Sequence, residues 1–389
     1  MIPLSYNVRS ILRRRFSAAA TAAALGLVVF VFAAMLMLAQ GVEETLRATG
    51  APQNAILLRK GATTELTSFL SREAAKVFAA DPAVAQSGGK PVASPELMVI
   101  LQLERAKVGG PANVAFRGVT QDGFQLLRAE TVRLVEGRLP RPATSEVMIG
   151  KAVRGRYVGA ELGQSIRKAR REWNVVGVFE AGGSAFESEV WADADQLMQA
   201  LNRTAYSSMT VRLSSPAELE GLKARVDADP RFNLEARRED LYYEESSGPL
   251  ATFIRVLGSA IAVFFAFGAV LGAMITMYAQ VAGRVREIST LRALGFRRRS
   301  VLASVLVESL VLAIIGAAAG CLLASALSAV SFSTMNFSSF SEMKFRFHFA
   351  AGIAIKASIF AIAMGLFGGM LPAARAARLP IAESIKGGE

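Results

Sequence analysis

Residues able to carry covalent chemistry are scarce in this chain. Among 389 residues there is one cysteine, Cys321, and one histidine, His348. No intrachain disulfide, multi-cysteine metal site or imidazole-rich centre can be assembled from them. Cys321 lies inside an apolar run, where a thiol serves as a small packing residue, and His348 stands at the edge of another. A phosphate-cradling loop of the form G-x-x-x-x-G-K-[ST] needs glycines for close backbone approach, and a lysine and a hydroxyl for the terminal phosphate and Mg²⁺. The nearest stretches, Gly88-Gly89-Lys90-Pro91 and Gly150-Lys151-Ala152, lack both the leading glycine and the hydroxyl. G-x-S-x-G does not occur, and the serine-rich stretch Ser331 to Ser341 has no base beside it in sequence. The expectation is a non-catalytic chain with no ATP hydrolysis, metal or cofactor of its own.

The chemistry that the spacing does offer is charge recognition next to apolar segments. Arg284, Arg286, Arg292, Arg297, Arg298 and Arg299 lead directly into a long apolar stretch; Arg9 and Arg13 to Arg15 precede another, and Arg375, Arg378 and Lys386 follow a third. A formal charge of +12 fits nucleic acid, an anionic lipid surface or positive cytoplasmic loops. The clustering beside apolar segments selects the loops, and no nucleic-acid partner is expected. Within the basic stretch, Arg286, Glu287, Ile288, Leu291, Arg292, Leu294, Gly295 and Phe296 make a short amphipathic segment. Ile288, Leu291 and Leu294 could enter an apolar groove while the arginines meet acidic groups; alternatively, the segment merely fixes topology. Glu308 lies about two turns into the following apolar stretch, where an unpaired carboxylate is costly. A partner such as Arg292 or a backbone group is expected, or else snorkelling to the inner interface.

Four apolar segments are long enough to cross a bilayer, which takes about 20 helical residues. They occupy 17–39, 253–278, 301–330 and 349–371. The first exceeds a typical signal-peptide core and lacks a small-x-small cleavage site, so an uncleaved span is expected. The arginine clusters put 1–16, 279–300 and 372–389 in the cytoplasm together with both termini, and leave 40–252 and the short loop 331–348 outside. Lys344 and Arg346 in that loop are a minor exception. Residues 1–16 place Leu4, Val8, Ile11 and Leu12 at helical intervals, as in an amphipathic helix on the inner leaflet; a plain overhang of the first span is the other reading. The later spans each hold a G-x-x-x-G pair, Gly268 and Gly272, Gly316 and Gly320, Gly365 and Gly369. Such pairs let helices approach closely and predict a tight three-helix cluster that includes a dimer contact.

The outer segment has the pattern of a mixed α/β domain. Strands are expected at Ala55 to Leu58, Leu97 to Leu103, Asn113 to Arg117, Ser208 to Leu213 and Phe232 to Ala236, with helices at Thr67 to Phe78 and Pro216 to Val226. Both helices run into similar words, Ala80-Asp81-Pro82-Ala83-Val84 and Ala228-Asp229-Pro230-Arg231-Phe232. This suggests two β-α-β halves of one ferredoxin-like layer. Between them, the glycine-punctuated words at Glu136 to Pro140, Val147 to Gly150, Val158 to Gly163 and Val175 to Phe179 predict a small β-rich subdomain. The fold class expected is thus an α-helical membrane protein with four transmembrane helices and a large extracytoplasmic α/β domain.

Several words resemble one family. Arg286-Glu287-Ile288-Ser289-Thr290-Leu291-Arg292-Ala293-Leu294-Gly295-Phe296, then Glu308-Ser309-Leu310 with Gly316 and Gly320, are similar to the inner loop and following span of MacB/FtsX/LolC-type ABC transporter permeases. The tail from Gly369-Met370-Leu371-Pro372-Ala373-Ala374 to Ile385 resembles the family's ending. Phe116-Arg117-Gly118-Val119, Glu136-Gly137-Arg138 and Val176-Gly177-Val178-Phe179 resemble its periplasmic core. The resemblance implies a permease subunit of the bacterial inner membrane that forms a homodimer or heterodimer and pairs with a separate ABC ATPase dimer, which binds the ATP and Mg²⁺. It further implies mechanotransmission to the outer domain for export of a lipoprotein, lipid or other amphipathic cargo, with residues 286–296 as the coupling segment. A periplasmic adaptor, an outer-membrane channel or a lipoprotein acceptor would be further partners, beside membrane lipids. MacB carries its ATPase on the same chain and this sequence does not, which points to a separately encoded ATPase. An FtsX-like subunit that signals to a cell-wall hydrolase is the alternative, although the outer segment is large for that type.

Overall fold

The computed structural model describes residue 9 and residues 12–107, 109–336 and 341–378. The amphipathic helix expected from Leu4, Val8 and Ile11, and the tail beyond Arg378 with Lys386, lie outside the described residues. In chain order the helices are α1 (Arg15–Arg47), α2 (Arg72–Ala79), α3 (Ala194–Ala200), α4 (Glu218–Asp227), α5 (Glu239–Ala282), α6 (Val285–Ala293), α7 (Arg298–Ala326) and α8 (Ala351–Arg378). The strands are β1 (Asn54–Arg59), β2 (Gln86–Ser87), β3 (Lys90–Pro91), β4 (Ala93–Glu104), β5 (Pro111–Val119), β6 (Arg133–Gly137), β7 (Glu146–Gly150), β8 (Ser165–Lys168), β9 (Arg171–Glu180), β10 (Glu189–Asp193), β11 (Ser208–Arg212), β12 (Leu234–Arg238), β13 (Ser331–Asn336) and β14 (Ser341–Arg346). Two compact units result, one of residues 41–251 with 331–346 and one of the remainder.

In the α/β unit the strands run in the order β12-β1-β11-β4-β5-β10-β7-β9-β6, with β8 also on β9. Period-two alternation dictates its two cores. In β1, Ala55 and Leu57 join the cluster that packs under α2, α3 and α4, whereas Ile56 and Leu58 join Phe179, Phe186 and Trp191 on the opposite face. Covering both faces accounts for the unbroken apolar run Ala55 to Leu58. The two halves β1-α2-β4 and β11-α4-β12 interleave as β12-β1-β11-β4, all antiparallel. Asp81 from the first repeated word forks Arg225 of α4 at 2.7 Å, which ties the halves together.

Several boundaries differ from expectation for local reasons. The helix expected from Thr67 begins at Arg72, because Ser71 Oγ accepts the Ala74 N–H at 3.1 Å and caps it there. The strand expected from Phe232 begins at Leu234, after Asn233 turns the chain with φ 48°. The middle strands do not form a sheet of their own: β7, β9 and β6 extend the same sheet through β10. Within 331–348, expected as a short outer loop, β13 and β14 pair antiparallel and belong to the α/β unit. Met343 and Phe345 are buried there. Glu342 accepts from Arg105 Nη2 at 3.2 Å, from Tyr157 OH at 3.1 Å and from Arg156.

Among the described residues, four helices are long and apolar enough to cross a membrane: Arg15–Arg47, Glu239–Ala282, Arg298–Ala329 and Ala351–Arg378. Their interior is built from small and flexible residues such as Leu25, Val29, Ala313, Ala357 and Met364. At one end α1 and α5 are joined by polar contacts, Thr21 Oγ1 to Thr276 Oγ1 at 2.9 Å and Arg14 Nη1 to the Gln280 carbonyl at 2.8 Å. Pro372 lies inside α8 near its basic end.

Candidate functional site

The basic loop folds into α6, a nine-residue helix held between two glycines. Gly283 follows the end of α5, and Arg284 occupies the N-cap with non-helical backbone. At the other end Gly295 has φ +93°, a conformation that side chains rarely tolerate, before Arg297 begins α7. The amphipathic pattern is real, but its apolar face turns inward. Ile288, 5% exposed, packs with Met277, Val281, Val301 and Ala373. Leu291 is half-buried and lines a small cavity with Val301 and Val305. Of the three residues expected to dock on a partner, Leu294 alone points outward, 73% exposed. Arg286, Glu287, Gly295 and Arg297 to Arg299 are exposed around it, and Phe296 is half-buried.

Glu308 is buried and gripped by Arg284, whose Nη1 and Nη2 donate to its two carboxylate oxygens at 2.9 and 3.3 Å. The expected partner was Arg292; that side chain instead donates to the Ala377 carbonyl of α8 at 3.4 Å. It is the N-cap residue of α6, not its eighth residue, that lies beside Glu308.

The three glycine pairs separate in their surroundings. A Cβ on Gly320 would lie 2.5 Å from the Gly26 carbonyl, and one on Gly316 2.8 Å from that of Ala22, so this pair seats α7 on α1. A Cβ on Gly365 would meet Ala313 at 2.5 Å and one on Gly369 the Ser309 hydroxyl at 2.4 Å, which seats α8 on α7. Gly268 and Gly272 have nothing within 4 Å of a Cβ position. The close packing therefore includes the first helix, and the α5 pair takes no part in it.

In the α/β unit a buried charge cluster appears that was not recognised from sequence. Arg117, 1% exposed, donates to Glu189 at 2.8 and 3.0 Å, to Glu65 at 2.8 and 3.1 Å and to Glu96 at 2.8 Å. Arg128, equally buried, donates to Glu96 at 3.0 Å, to Glu239 at 2.7 Å and to Thr210 at 3.2 Å. Ser208 and Tyr243 add hydrogen bonds to Glu65, and the Trp191 indole one of 2.7 Å to Glu189. Four carboxylates face two guanidinium groups. Burial opposes ionisation of Glu65, but Arg117 outweighs it and holds this carboxyl below its ordinary value. Burial pushes Glu189 up, with Arg117 offsetting only part of the effect. The two guanidinium groups tie β4, β5, β10, β11 and α5 together through protein acceptors, so the cluster is a structural staple. Among the described residues no group of three or more His, Cys, Asp or Glu is placed to hold a metal ion.

Two family models match the chain. The MacB-like periplasmic core domain matches residues 18–229, and the FtsX-like permease C-terminal domain matches residues 259–381. This chain belongs to the MacB/FtsX-type ABC transporter permeases. A macrolide export ATP-binding/permease protein MacB from Hahella chejuensis is 27% identical over 285 residues, covering 68% of this chain and 42% of that protein. One from Neisseria gonorrhoeae is 26% identical over 279 residues, covering 67% and 42%. The pyoverdine export ATP-binding/permease protein PvdT from Pseudomonas syringae pv. tomato is 29% identical over 265 residues, covering 62% and 38%. The permease thus spans about two fifths of the length of these relatives. The extracellular domain of the ABC-type transporter YknZ from Gram-positive bacteria aligns with 47% of this chain and 99% of its own, at 12% identity and a TM-score of 0.37.

Proposed function

We propose that this permease relays ATP binding and hydrolysis by a separate ABC ATPase to its α/β unit, and so drives export or extraction of a lipoprotein, lipid or other amphipathic cargo. The observation that carries the reading is the end of α6: its C-cap residue Leu294 is exposed, as are Arg286 and Arg297 to Arg299, whereas Ile288 is buried and Leu291 half-buried within the chain. An apolar knob framed by positive charge suits an acidic-rimmed groove on a soluble partner, and it replaces the Ile288 and Leu291 contacts expected from sequence. The interleaved β-α-β halves support a ferredoxin-like description of the outer domain.

The arrangement in the membrane follows from charge. The basic groups at Arg13 to Arg15, Arg284 to Arg299 and Arg375 to Arg378 support a cytoplasmic position for the ends of the described chain and α6, with the α/β unit on the outer side of the bacterial inner membrane. Outward-facing Phe264, Ile275 and Leu322 suit a hydrocarbon environment. The mechanism then needs no reactive side chain: nucleotide-driven closure of the ATPase pair displaces α6, and the packed helices carry the displacement outward. The permease acts as a dimer, with the two ATPases and their ATP and Mg²⁺ on the cytoplasmic side.

The test is co-purification of the tagged permease from its own cells, with bound ATPase and MgATP turnover measured for wild type, Leu294→Asp and Arg298→Ala. Leu294→Asp would place a charge in a desolvated groove and is expected to lower bound ATPase by at least about tenfold, while Arg298→Ala, flanked by Arg297 and Arg299, stays near wild type. Unchanged ATPase binding by Leu294→Asp would show that the contact lies elsewhere.

A further inference from the structure

The pair Arg284 and Glu308 cannot belong to the partner-binding face, because both side chains are buried, 8% and 4% exposed. Its place in the fold suggests a different duty. The backbone on either side of α6 is a glycine, Gly283 before it and Gly295 at φ +93° after it, and glycine junctions let a short helix pivot. Backbone bonds hold the junction, Gly283 N–H to the Ala279 carbonyl at 3.0 Å and Arg284 N–H to the Val281 carbonyl at 3.1 Å, and side-chain contacts add to what sets the angle of α6. Among them are Arg284 to Glu308 on α7 at the first turn, Ile288 in the apolar cluster at the middle, and Arg292 to the Ala377 carbonyl on α8 at the last turn. An apolar contact tolerates sliding, whereas a guanidinium forked onto both oxygens of a carboxylate fixes direction as well as distance. Breaking such a pair also leaves a buried charge behind, so the joint has no inexpensive slipped state.

We propose that Arg284 and Glu308 are the positioning residues of the coupling helix: they pin the start of α6 to α7, so that a push on α6 moves α7 instead of being lost as rotation at Gly283. This rests on the reading of α6 as the contact for an ATPase. The pin makes α6 and the first turns of α7 one lever, with the exposed Leu294 at the far end of α6. Ile288 supplies burial and the ion pair supplies direction. A purely stabilising pair would support the whole bundle equally; a pin affects the stiffness of α6 and the transfer of motion into α7.

The experiment uses the full permease co-purified with its ATPase in lipid nanodiscs. Hydrogen exchange is followed by mass spectrometry, before and after trapping with MgATP and vanadate. In wild type, trapping is expected to alter exchange in both α6 and the far half of α7. In Glu308→Gln the bound ATPase stays at the wild-type level, α6 amides exchange at least about tenfold faster, and the trapping response of α7 falls by about half or more. The charge swap of Arg284→Glu with Glu308→Arg restores both readouts. Wild-type exchange and response in Glu308→Gln would overturn the proposal. So would loss of protection throughout α7 and α8 together with α6, which would mark a general support. Should Glu308→Gln fail to accumulate, Arg284→Lys, which keeps the charge and loses the fork, is expected to show the same selective loosening of α6, and its absence there overturns the proposal equally. If no ATPase co-purifies with the wild type, the coupling reading has failed by itself, and the exchange rate of α6 in the variants still decides whether the pair pins it.

Discussion

Replacing Arg117 by methionine keeps most of the side-chain volume and removes the cation at the centre of the buried cluster. Glu96 retains Arg128, but Glu65 is left with Ser208 and Tyr243, and Glu189 with Trp191. A buried carboxylate without a cation takes up a proton. Holding it protonated costs about 4.4 kcal/mol near pH 7.5 and about 1 kcal/mol near pH 5, given 1.36 kcal/mol per pH unit and an ordinary glutamate value of about 4.3. Glu189 already lies above its ordinary value in the intact protein, so Glu65 carries most of the change. The α/β unit is expected to lose about 3–5 kcal/mol near pH 7.5, and about 3 kcal/mol less near pH 5. The sign distinguishes this from ordinary loss of packing. In wild type the lowered Glu65 contributes stability above its unfolded value, and this is lost as pH falls through the folded one. In the variant the folded value is raised, so the contribution is present at low pH and disappears as pH rises. Both tryptophans, Trp173 and Trp191, lie in the α/β unit, so their emission during urea unfolding of the full chain in detergent micelles, which add no protein fluorescence, reports that unit alone. Equal losses at the two pH values, or a loss under about 1 kcal/mol near pH 7.5, would refute the charge balance described for the cluster.

Two further outcomes are expected. Reporters fused after Lys60 or Arg212 should read as external and one after Arg298 as cytoplasmic; a cytoplasmic signal at Arg212 would contradict the assigned sidedness. Gly320→Leu should unseat α7 from α1 and reduce thermal stability of the helical unit by several degrees, whereas Gly272→Ala, with open space at its Cβ position, should stay within about 0.5 kcal/mol of wild type, both measured by thermal unfolding in the same lipid.

What the sequence revealed and what it withheld divide along a physical line. Apolar length and period-two patterning depend on neighbours in sequence, and they located the four long helices and the strands near Ala55, Leu97, Asn113 and Ser208. The buried cluster depends on partners far apart, since Arg117 meets Glu65, Glu96 and Glu189 at separations of 52, 21 and 72 residues. A signal was present, an arginine inside the apolar run Val114 to Val119, but nothing local named its acceptors. The amphipathic spacing of α6 showed that Ile288, Leu291 and Leu294 share an apolar character without showing whose groove they fill. The chain's own helices take two of the three. Residues 341–346 carried a weak strand signal, alternating Met343 and Phe345 with Glu342 and Lys344, which the abundance of serine obscured.

The pair β13-β14 imposes an order on the making of this protein. A chain emerging from the ribosome presents residues 41–251 first, but the strand that buries Met343 and Phe345 and carries Glu342 follows only after Thr252–Val330 has been synthesised. Until then the α/β unit has a bare apolar patch, and Arg105 and Arg156 lack the Glu342 carboxylate. Since domains otherwise fold as units from the N-terminal side during synthesis, completion of this one waits on the helices threaded between its parts. A nascent chain that stops short of residues 341–346 would therefore display an α/β unit whose core lacks Met343 and Phe345.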